Sequence, residues 1–200
     1  MAEKIVIEVF KEKKAEDFTS ALATPSSRLS SGSAAAYTAA MASALLLRVS
    51  RICAEADPEN ERLAYIAKNS EILRSYMVHL IDENIKAKGP LRRAIKNGDE
   101  RAIEASLQRA TCIEAEIVNM MKPCLEFISE LCGACPKEEA HLLLESAELS
   151  LCASRISADI ILAYSARSCD DTFRFITKRE NEVFLSEQEE LLAQIRQKLQ

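Results

Sequence analysis

The chain has 200 residues, enough for one domain with a sizeable core. It is 48% hydrophobic and 28% charged, with only four Gly and five Pro. Such a composition is typical of long α-helices and excludes a β-rich fold, which needs many turn residues. The formal net charge is −5, with acidic and basic residues intermixed. The composition predicts an all-α antiparallel bundle of long helices. Because nucleic-acid binding requires a basic stripe, we expect no nucleic-acid partner.

A cytoplasmic location is expected from the N-terminus and the cysteines. The first residues contain no continuous apolar segment of the kind found in signal peptides. The seven cysteines are scattered, and we expect them to be reduced and buried. The apolar run from Ala34 to Leu47 is too short to span a bilayer and ends at Arg48, so we expect no membrane partner.

The N-terminal part of the predicted single domain, residues 1–200, begins with an arm over residues 1–14. Within the arm, the alternation in residues 5–10 predicts a short strand or an irregular segment. Residues 15–22 are predicted to form the first short helix. A Ser-rich loop with Pro and Gly follows over residues 23–33.

An Ala-rich helix is predicted after this loop. Ser33 is expected to cap its N-terminus, and the helix should run to about Ala56. Asp57 and Pro58 then end this helix and open the next one.

The next helix carries apolar or small residues at alternating spacings of three and four, a heptad pattern that predicts lengthwise packing against a partner helix. Gly89-Pro90 is expected to break this helix, and Asn97-Gly98-Asp99 to form a second break. The heptad positions are Leu63, Ile66, Ser70, Leu73, Met77, Leu80, Asn84 and Ala87.

Two further long helical regions follow. Pro123 is expected to kink or divide the first, and residues 132–136 to stop it. A helix over residues 137–166 is apolar on most sides, which predicts a central, buried helix. Residues 170–200 are predicted to form an extension with a short segment and then a terminal helix that begins at a capping box at Ser186.

Four polar residues share one face of the central helix: Glu148, Cys152, Arg155 and Asp159. An Arg155–Asp159 ion pair or a link across a dimer interface would explain them structurally. Alternatively, Glu148 and Asp159 are catalytic carboxylates in a partly dry cleft, where Arg155 binds an anion.

The end of the heptad helix offers a second candidate site. Asp82, Asn84, Lys86 and Lys88 lie there, followed by further basic residues at 92, 93 and 96. These cations either form a solvated helix end, which the helix dipole favours, or bind a polyanionic ligand.

Ser31, Gly32 and Ser33 form a third candidate, because free N–H groups at a helix start bind carboxylates and phosphates. The same residues are also consistent with a simple helix cap.

No metal site is expected. A single Cys132-x-x-Cys135 pair with His141 nearby is a weak zinc motif, and His79 and His141 are expected to be core or rim histidines. Phosphate-binding loops, dinucleotide fingerprints and common hydrolase motifs are missing from the sequence.

Three segments together resemble one known enzyme family. The first is Phe18 to Pro25 with the following Ser/Gly loop and Ala-rich helix, the second residues 80–87, and the third residues 101–110. Over about residues 15–168 they are similar to the cyclodeaminase/cyclohydrolase family, which includes the C-terminal domain of formiminotransferase-cyclodeaminase and bacterial methenyltetrahydrofolate cyclohydrolases. Ser30-Ser31-Gly32 replaces the family's three glycines, Asn84 falls at the position of a family Asp, and Lys88 falls at the position of a family Phe.

The resemblance implies a helical homodimer that processes a tetrahydrofolate derivative as substrate, in its methenyl or formimino form. It also implies that no metal or redox cofactor is used, so the protein must supply an acid or base. Asp82, Glu148 and Asp159 are the available carboxylates, and basic residues would meet the folate's glutamate tail. The alternative is a catalytically silent homodimeric binding or structural protein on the same fold.

Overall fold

The computed structural model describes residues 9–200, in which all regular secondary structure is helical. The prediction of an all-α fold is therefore confirmed. The predicted strand at residues 5–10 lies almost entirely outside the described residues. The helices are α1 (Ala15–Ala23), α2 (Ser31–Ala56), α3 (Glu61–Asn97), α4 (Glu100–Leu131), α5 (Ala140–Ser165) and α6 (Asp171–Lys198), with one 3₁₀ turn at Lys137–Glu139.

Helix α2 lies at the centre and packs mainly against α3 and α5. Its buried alanines, including Ala35, Ala36 and Ala39, let these neighbours approach closely. By length and composition alone α2 is apolar enough to cross a membrane, but 61% of its most apolar window is buried inside the protein. Packing in the core accounts for that hydropathy.

The start of α2 differs from the prediction by three residues. The helix begins at Ser31 after Ser30, whereas Ser33 had been predicted as the cap. The Ser33 hydroxyl instead donates a hydrogen bond to the Ile81 carbonyl of α3, 3.2 Å away. This contact ties the N-terminus of α2 to the middle of α3.

The heptad prediction for α3 is confirmed, because every predicted seam position is buried. The predicted break at Gly89-Pro90 is wrong: α3 continues to Asn97 and ends at Gly98, whose φ is 65°. Gly89 carries no Cβ to clash with the proline ring, and buried Leu91 and Ala94 hold the following turns against the core. One lost backbone hydrogen bond is therefore tolerated.

Helices α4 and α6 are also longer than predicted. Helix α4 is not divided at Pro123, and α6 is one helix capped by Asp170, whose carboxylate accepts the Phe173 N–H at 3.0 Å. The predicted helix start at Ser186 is wrong. Asn181 and Gln188 are buried and donate to carbonyls of α5 and α4, so tertiary packing carries α6 through the region.

Candidate functional site

Polar side chains converge in the core where the N-terminus of α2 meets α3, α4 and α5. We call Asn84, Lys88, Glu114 and Ser157 the buried polar cluster. Glu114 has no solvent-exposed surface, and Asn84 and Lys88 are 1% and 8% exposed. Buried polar and charged groups are costly unless they are paired or functional, so the cluster is the first place to look for chemistry.

Gly32 in the first turn of α2 faces this cluster directly. A Cβ at this position would lie closer than 3.0 Å to both Glu114 Oε1 and Asn84 Oδ1. The glycine therefore lets these two side chains approach the helix backbone. A carboxylate at a helix N-terminus is also stabilised by the free N–H groups and the helix dipole.

Lys88 and Glu114 form the ionic centre of the cluster. Lys88 Nζ lies 3.5 Å from Glu114 Oε1 and donates a hydrogen bond to Ser30 Oγ at 2.5 Å. The other carboxylate oxygen, Glu114 Oε2, accepts a hydrogen bond from the Ser157 hydroxyl at 3.0 Å. Ser30 and Ser157, from two further parts of the chain, thus hold the lysine and the glutamate in place.

Burial shifts both members of this pair towards their neutral forms. It lowers the pKa of Lys88, an effect that Glu114 opposes and Arg92 reinforces. Burial also raises the pKa of Glu114, against the opposing effect of Lys88 and Ser157. Tyr164 lies beside the pair, and its burial and the Glu114 carboxylate raise its pKa to about 12. Perturbed pKa values of this kind make the pair a candidate for a functional site.

Two polar atoms of the cluster lack a hydrogen-bond partner in the described part of the chain. They are Glu114 Oε1 and Asn84 Nδ2. Both atoms nevertheless have polar neighbours: the Asn84 amide and the Lys88 amine favour the charged form of Glu114, and Lys88 Nζ lies 3.5 Å from Glu114 Oε1. The carboxylate is therefore held by nearby charge and dipoles rather than by short hydrogen bonds to this oxygen.

A basic groove of about 530 Å³ lies on the outer side of α3, and its lining includes Gly89, the residue that follows Lys88. Lys86 in the groove pairs with Glu83 at 2.7 Å. Arg92 links the groove to the cluster, because its charge acts on both Lys88 and Tyr164. The groove is lined by Arg28, Lys86, Gly89, Pro90, Arg92 and Arg93.

The two predicted sites on α2 and α3 are thus brought together. Gly32, Asn84 and Lys88 meet in the cluster, and Lys86 lines the groove. Ser31 is exposed at the start of α2.

Asp82 lies in the same helix but has a different environment. Its buried carboxylate accepts the backbone N–H of Phe10 at 2.8 Å, which fastens the N-terminal arm to α3.

The predicted residues of α5 lie elsewhere, on an exposed face. Arg155 pairs with Glu189 of α6 at 2.7 Å, and Glu148 pairs with Arg196 at 2.5 Å. Asp159 is exposed. The Arg155–Asp159 ion pair considered from the sequence is not formed, because Glu189 offers Arg155 a carboxylate from the neighbouring helix. Within this one chain, these residues line neither a dry cleft nor a closed core.

Glu114, Ser157 and Tyr164 were not among the site residues predicted from the sequence. A signal for Glu114 was present, since it occupies a buried position in the apolar stripe of α4 that contains Ala110 and Ile117. A lone glutamate at such a position predicts a paired or functional carboxylate.

Comparisons with known proteins agree with this fold. The family model described as formiminotransferase-cyclodeaminase matches residues 14–141, which include Gly32, Asn84, Lys88 and Glu114. The crystal structure of formiminotetrahydrofolate cyclodeaminase from Thermotoga maritima superimposes with a TM-score of 0.89 at 19% identity, covering 94% of this chain and 96% of that one. The comparison with curated proteins gave no match. The chain belongs to the formiminotransferase-cyclodeaminase family, as the sequence motifs had indicated.

Proposed function

We propose that this protein is an enzyme that rearranges the one-carbon unit of a tetrahydrofolate derivative at the buried polar cluster. Its substrate is 5-formiminotetrahydrofolate, which loses ammonia, or 5,10-methenyltetrahydrofolate, which is hydrolysed. Membership of the family supports the folate class of ligand. The observation that carries the proposal is the buried Lys88–Glu114 pair, whose lysine lies on the same helix as most of the residues that line a basic groove.

Both reactions need proton transfer and a polar environment for a change of charge on the one-carbon unit. The cluster supplies an amine, a carboxylate, an amide and a hydroxyl within a mostly apolar core. We propose no metal or redox cofactor, because these groups account for the proton transfers by themselves.

The basic groove suits the anionic end of such a substrate. A folate carries one or more glutamate carboxylates, and Arg28, Arg92 and Arg93 offer guanidinium groups that bind carboxylates in a bidentate manner. Arg92 would place the anionic tail outside the cluster while the one-carbon unit approaches Lys88.

A cytoplasmic homodimer is part of the proposal. The exposed face of α6 carries Phe175, Ile176 and Val183, with Phe175 67% exposed. Exposed apolar side chains in a row on one helix favour self-association.

A catalytically silent homodimeric binding protein is the second candidate. The complete burial of Glu114, together with the serines that replace two loop glycines, favours this alternative. In a silent binding protein, the same groove would bind a folate without turnover.

The two candidates are separated by a direct assay. Purified protein is mixed with 5,10-methenyltetrahydrofolate or with 5-formiminotetrahydrofolate, and the near-ultraviolet absorbance of the methenyl compound is followed against heat-inactivated protein. An enzyme makes this absorbance fall with the methenyl substrate or rise with the formimino substrate, at a rate proportional to the protein concentration. Background rates with both substrates, together with calorimetric binding of 5-formyltetrahydrofolate, would select the silent alternative.

The same assay on Asp159→Asn and Glu148→Gln tests the placement of the site. Loss of turnover in either well-folded variant would place the chemistry on the exposed face of α5 and contradict the placement at the cluster.

A further inference from the structure

Lys88 differs from the other cations near the groove because it is buried and held by partners from three elements. Its amine contacts Ser30 before α2 and Glu114 of α4, and lies 5.9 Å from the Tyr164 ring of α5. We propose that Lys88 carries the proton in the reaction and that Glu114 is the residue that positions it. This inference rests on the proposed function and adds the identity of the proton-transfer group.

The position of Lys88 suits contact with a substrate in the groove. Its side chain is 10% exposed, so the amine lies at the border between the core and solvent. The next residue, Gly89, lines the groove, as does Arg92 one turn further along α3. A one-carbon unit that extends from the groove past Gly89 would meet the amine, which Ser30 and Glu114 hold in place.

Proton transfer at neutral pH requires that part of the lysine population be uncharged. The charged groups that face Lys88 are Glu114 of α4 and Arg92 of its own helix, and the Tyr164 phenol of α5 is uncharged at this pH. Burial, the largest effect, lowers the pKa of Lys88, and Arg92 acts in the same direction. Glu114 limits the decrease, so the pair sets the balance between the two protonation states.

With formimino folate the step balances without any other reagent. The N10 lone pair attacks the carbon of the formimino group, whose nitrogen is protonated, and the neutral Lys88 amine takes the N10 proton. The amine then gives this proton to the amino group on the same carbon, and the carbon–nitrogen bond breaks to release ammonia and the methenyl cation. No net proton is gained or lost, and one amine performs both transfers.

With methenyl folate the same amine acts as a base on water. Lys88 takes a proton as the water oxygen bonds to the methenyl carbon. The proton then goes to N5, whose bond to the carbon breaks, and the remaining hydroxyl proton is released to solvent, so the formyl group stays on N10. The product is 10-formyltetrahydrofolate.

Glu114 acts through Lys88 rather than on the substrate. It has no exposed surface, and Ser157 holds its far oxygen at 3.0 Å. Gly32 leaves the space that the near oxygen occupies beside the helix start. These contacts fix the carboxylate, which in turn orients the amine.

The test measures kcat, KM and the pH profile of kcat/KM on the substrate that wild type turns over. Lys88→Met should reduce kcat by about 100-fold or more with little change in KM. The matched control is Lys68→Met, an exposed lysine on the same helix, which should retain wild-type rates. In Glu114→Gln the acidic limb of the profile should move to lower pH by about one to three units, because the carboxylate that raises the pKa of Lys88 is gone.

Calorimetry with 5-formyltetrahydrofolate separates this inference from the proposed function. A Lys88→Met variant that binds 5-formyltetrahydrofolate but does not turn over the substrate supports the inference. Turnover of Lys88→Met near the wild-type rate, or an unshifted profile in Glu114→Gln, would overturn it and leave the folate function intact. A wild-type protein that neither binds 5-formyltetrahydrofolate nor turns over either substrate would refute the folate function itself. If Lys88→Met does not fold, the Lys88→Met/Glu114→Gln double variant removes the unpaired buried carboxylate and has the same expected loss of kcat.

Discussion

The backbone of Gly32 and the carboxylate of Glu114 are in such close contact that no side chain fits between them. A Cβ at position 32 would come closer than 3.0 Å to Glu114 Oε1. The two residues are far apart in the chain, and their contact joins the start of α2 to the middle of α4. The site therefore depends on the absence of one methyl group.

Gly32→Ala tests this contact. The methyl group would displace Glu114 and Asn84, neither of which has free space in the core, so we expect the free energy of unfolding to fall by about 1–3 kcal/mol. Turnover should fall as well, since the carboxylate no longer orients Lys88. Urea denaturation and the absorbance assay measure both effects. Gly133→Ala is the matched control, because a Cβ there meets nothing within 4 Å, and equal losses of stability in both variants would contradict the contact.

The buried pair should lower stability near neutral pH. The pKa of Glu114 is raised in the folded state, so its contribution is present below the unfolded value of 4.5 and lost as pH rises through the folded value. The pKa of Lys88 is lowered, so its contribution is present above 10.5 and lost as pH falls through the folded value. Between these limits both groups oppose folding.

Replacing both members of the pair by neutral residues tests whether the charged pair lowers the free energy of unfolding near neutral pH. At pH 7, Lys88→Met/Glu114→Gln should be as stable as wild type or about 1–4 kcal/mol more stable. Lys88→Met alone should be about 3–5 kcal/mol less stable, and its deficit should shrink as pH falls towards 4.5 and Glu114 is protonated. Urea midpoints at several pH values measure this. A double variant clearly less stable than wild type at pH 7 would show that the pair stabilises the fold and would contradict this prediction.

Removal of a groove cation should weaken substrate binding rather than chemistry. Arg93→Gln should raise KM by about fivefold to tenfold and leave kcat nearly unchanged, because a partly exposed charged contact contributes about 1 kcal/mol. The increase should be larger for substrates with several glutamates and smaller at high salt. A matched change outside the groove is Arg179→Gln. An equal KM in Arg93→Gln and wild type would remove the groove from the binding site.

The continuity of α6 leads to a stability prediction. Asp170 caps the helix through the Phe173 N–H, so Asp170→Ala should cost about 1 kcal/mol, whereas Asp170→Asn should retain most of the stability. Thermal unfolding followed by circular dichroism gives the difference. A helix that began near Ser186 would be insensitive to either substitution.

The sequence predicted the parts of the fold that depend on local periodicity. The heptad in α3 is visible because apolar side chains recur on one helical face, and its positions are buried. The break at Gly89-Pro90 and the helix start at Ser186 follow from local rules, and both predictions are wrong. In both places buried neighbours, such as Leu91 in α3 and Gln188 in α6, continue the helix through packing that no local pattern contains.

The site was only partly predictable for a related reason. Gly32, Asn84 and Lys88 were selected from helix-end chemistry and family motifs. Glu114 and Ser157 belong to two other helices, and only the packing of α4 and α5 against α2 places them beside Lys88. The polar face of α5 was visible from helical spacing, but its exposure depends on α6, which covers only part of α5.

The most direct measurement is the rate at which wild type and Lys88→Met interconvert 5-formiminotetrahydrofolate, 5,10-methenyltetrahydrofolate and 10-formyltetrahydrofolate, with Lys68→Met as control. We expect wild type and Lys68→Met to accelerate at least one of these steps equally. Lys88→Met should be slower by about 100-fold or more while still binding 5-formyltetrahydrofolate. Equal rates in all three proteins, or no acceleration by wild type, would contradict catalysis at the buried polar cluster.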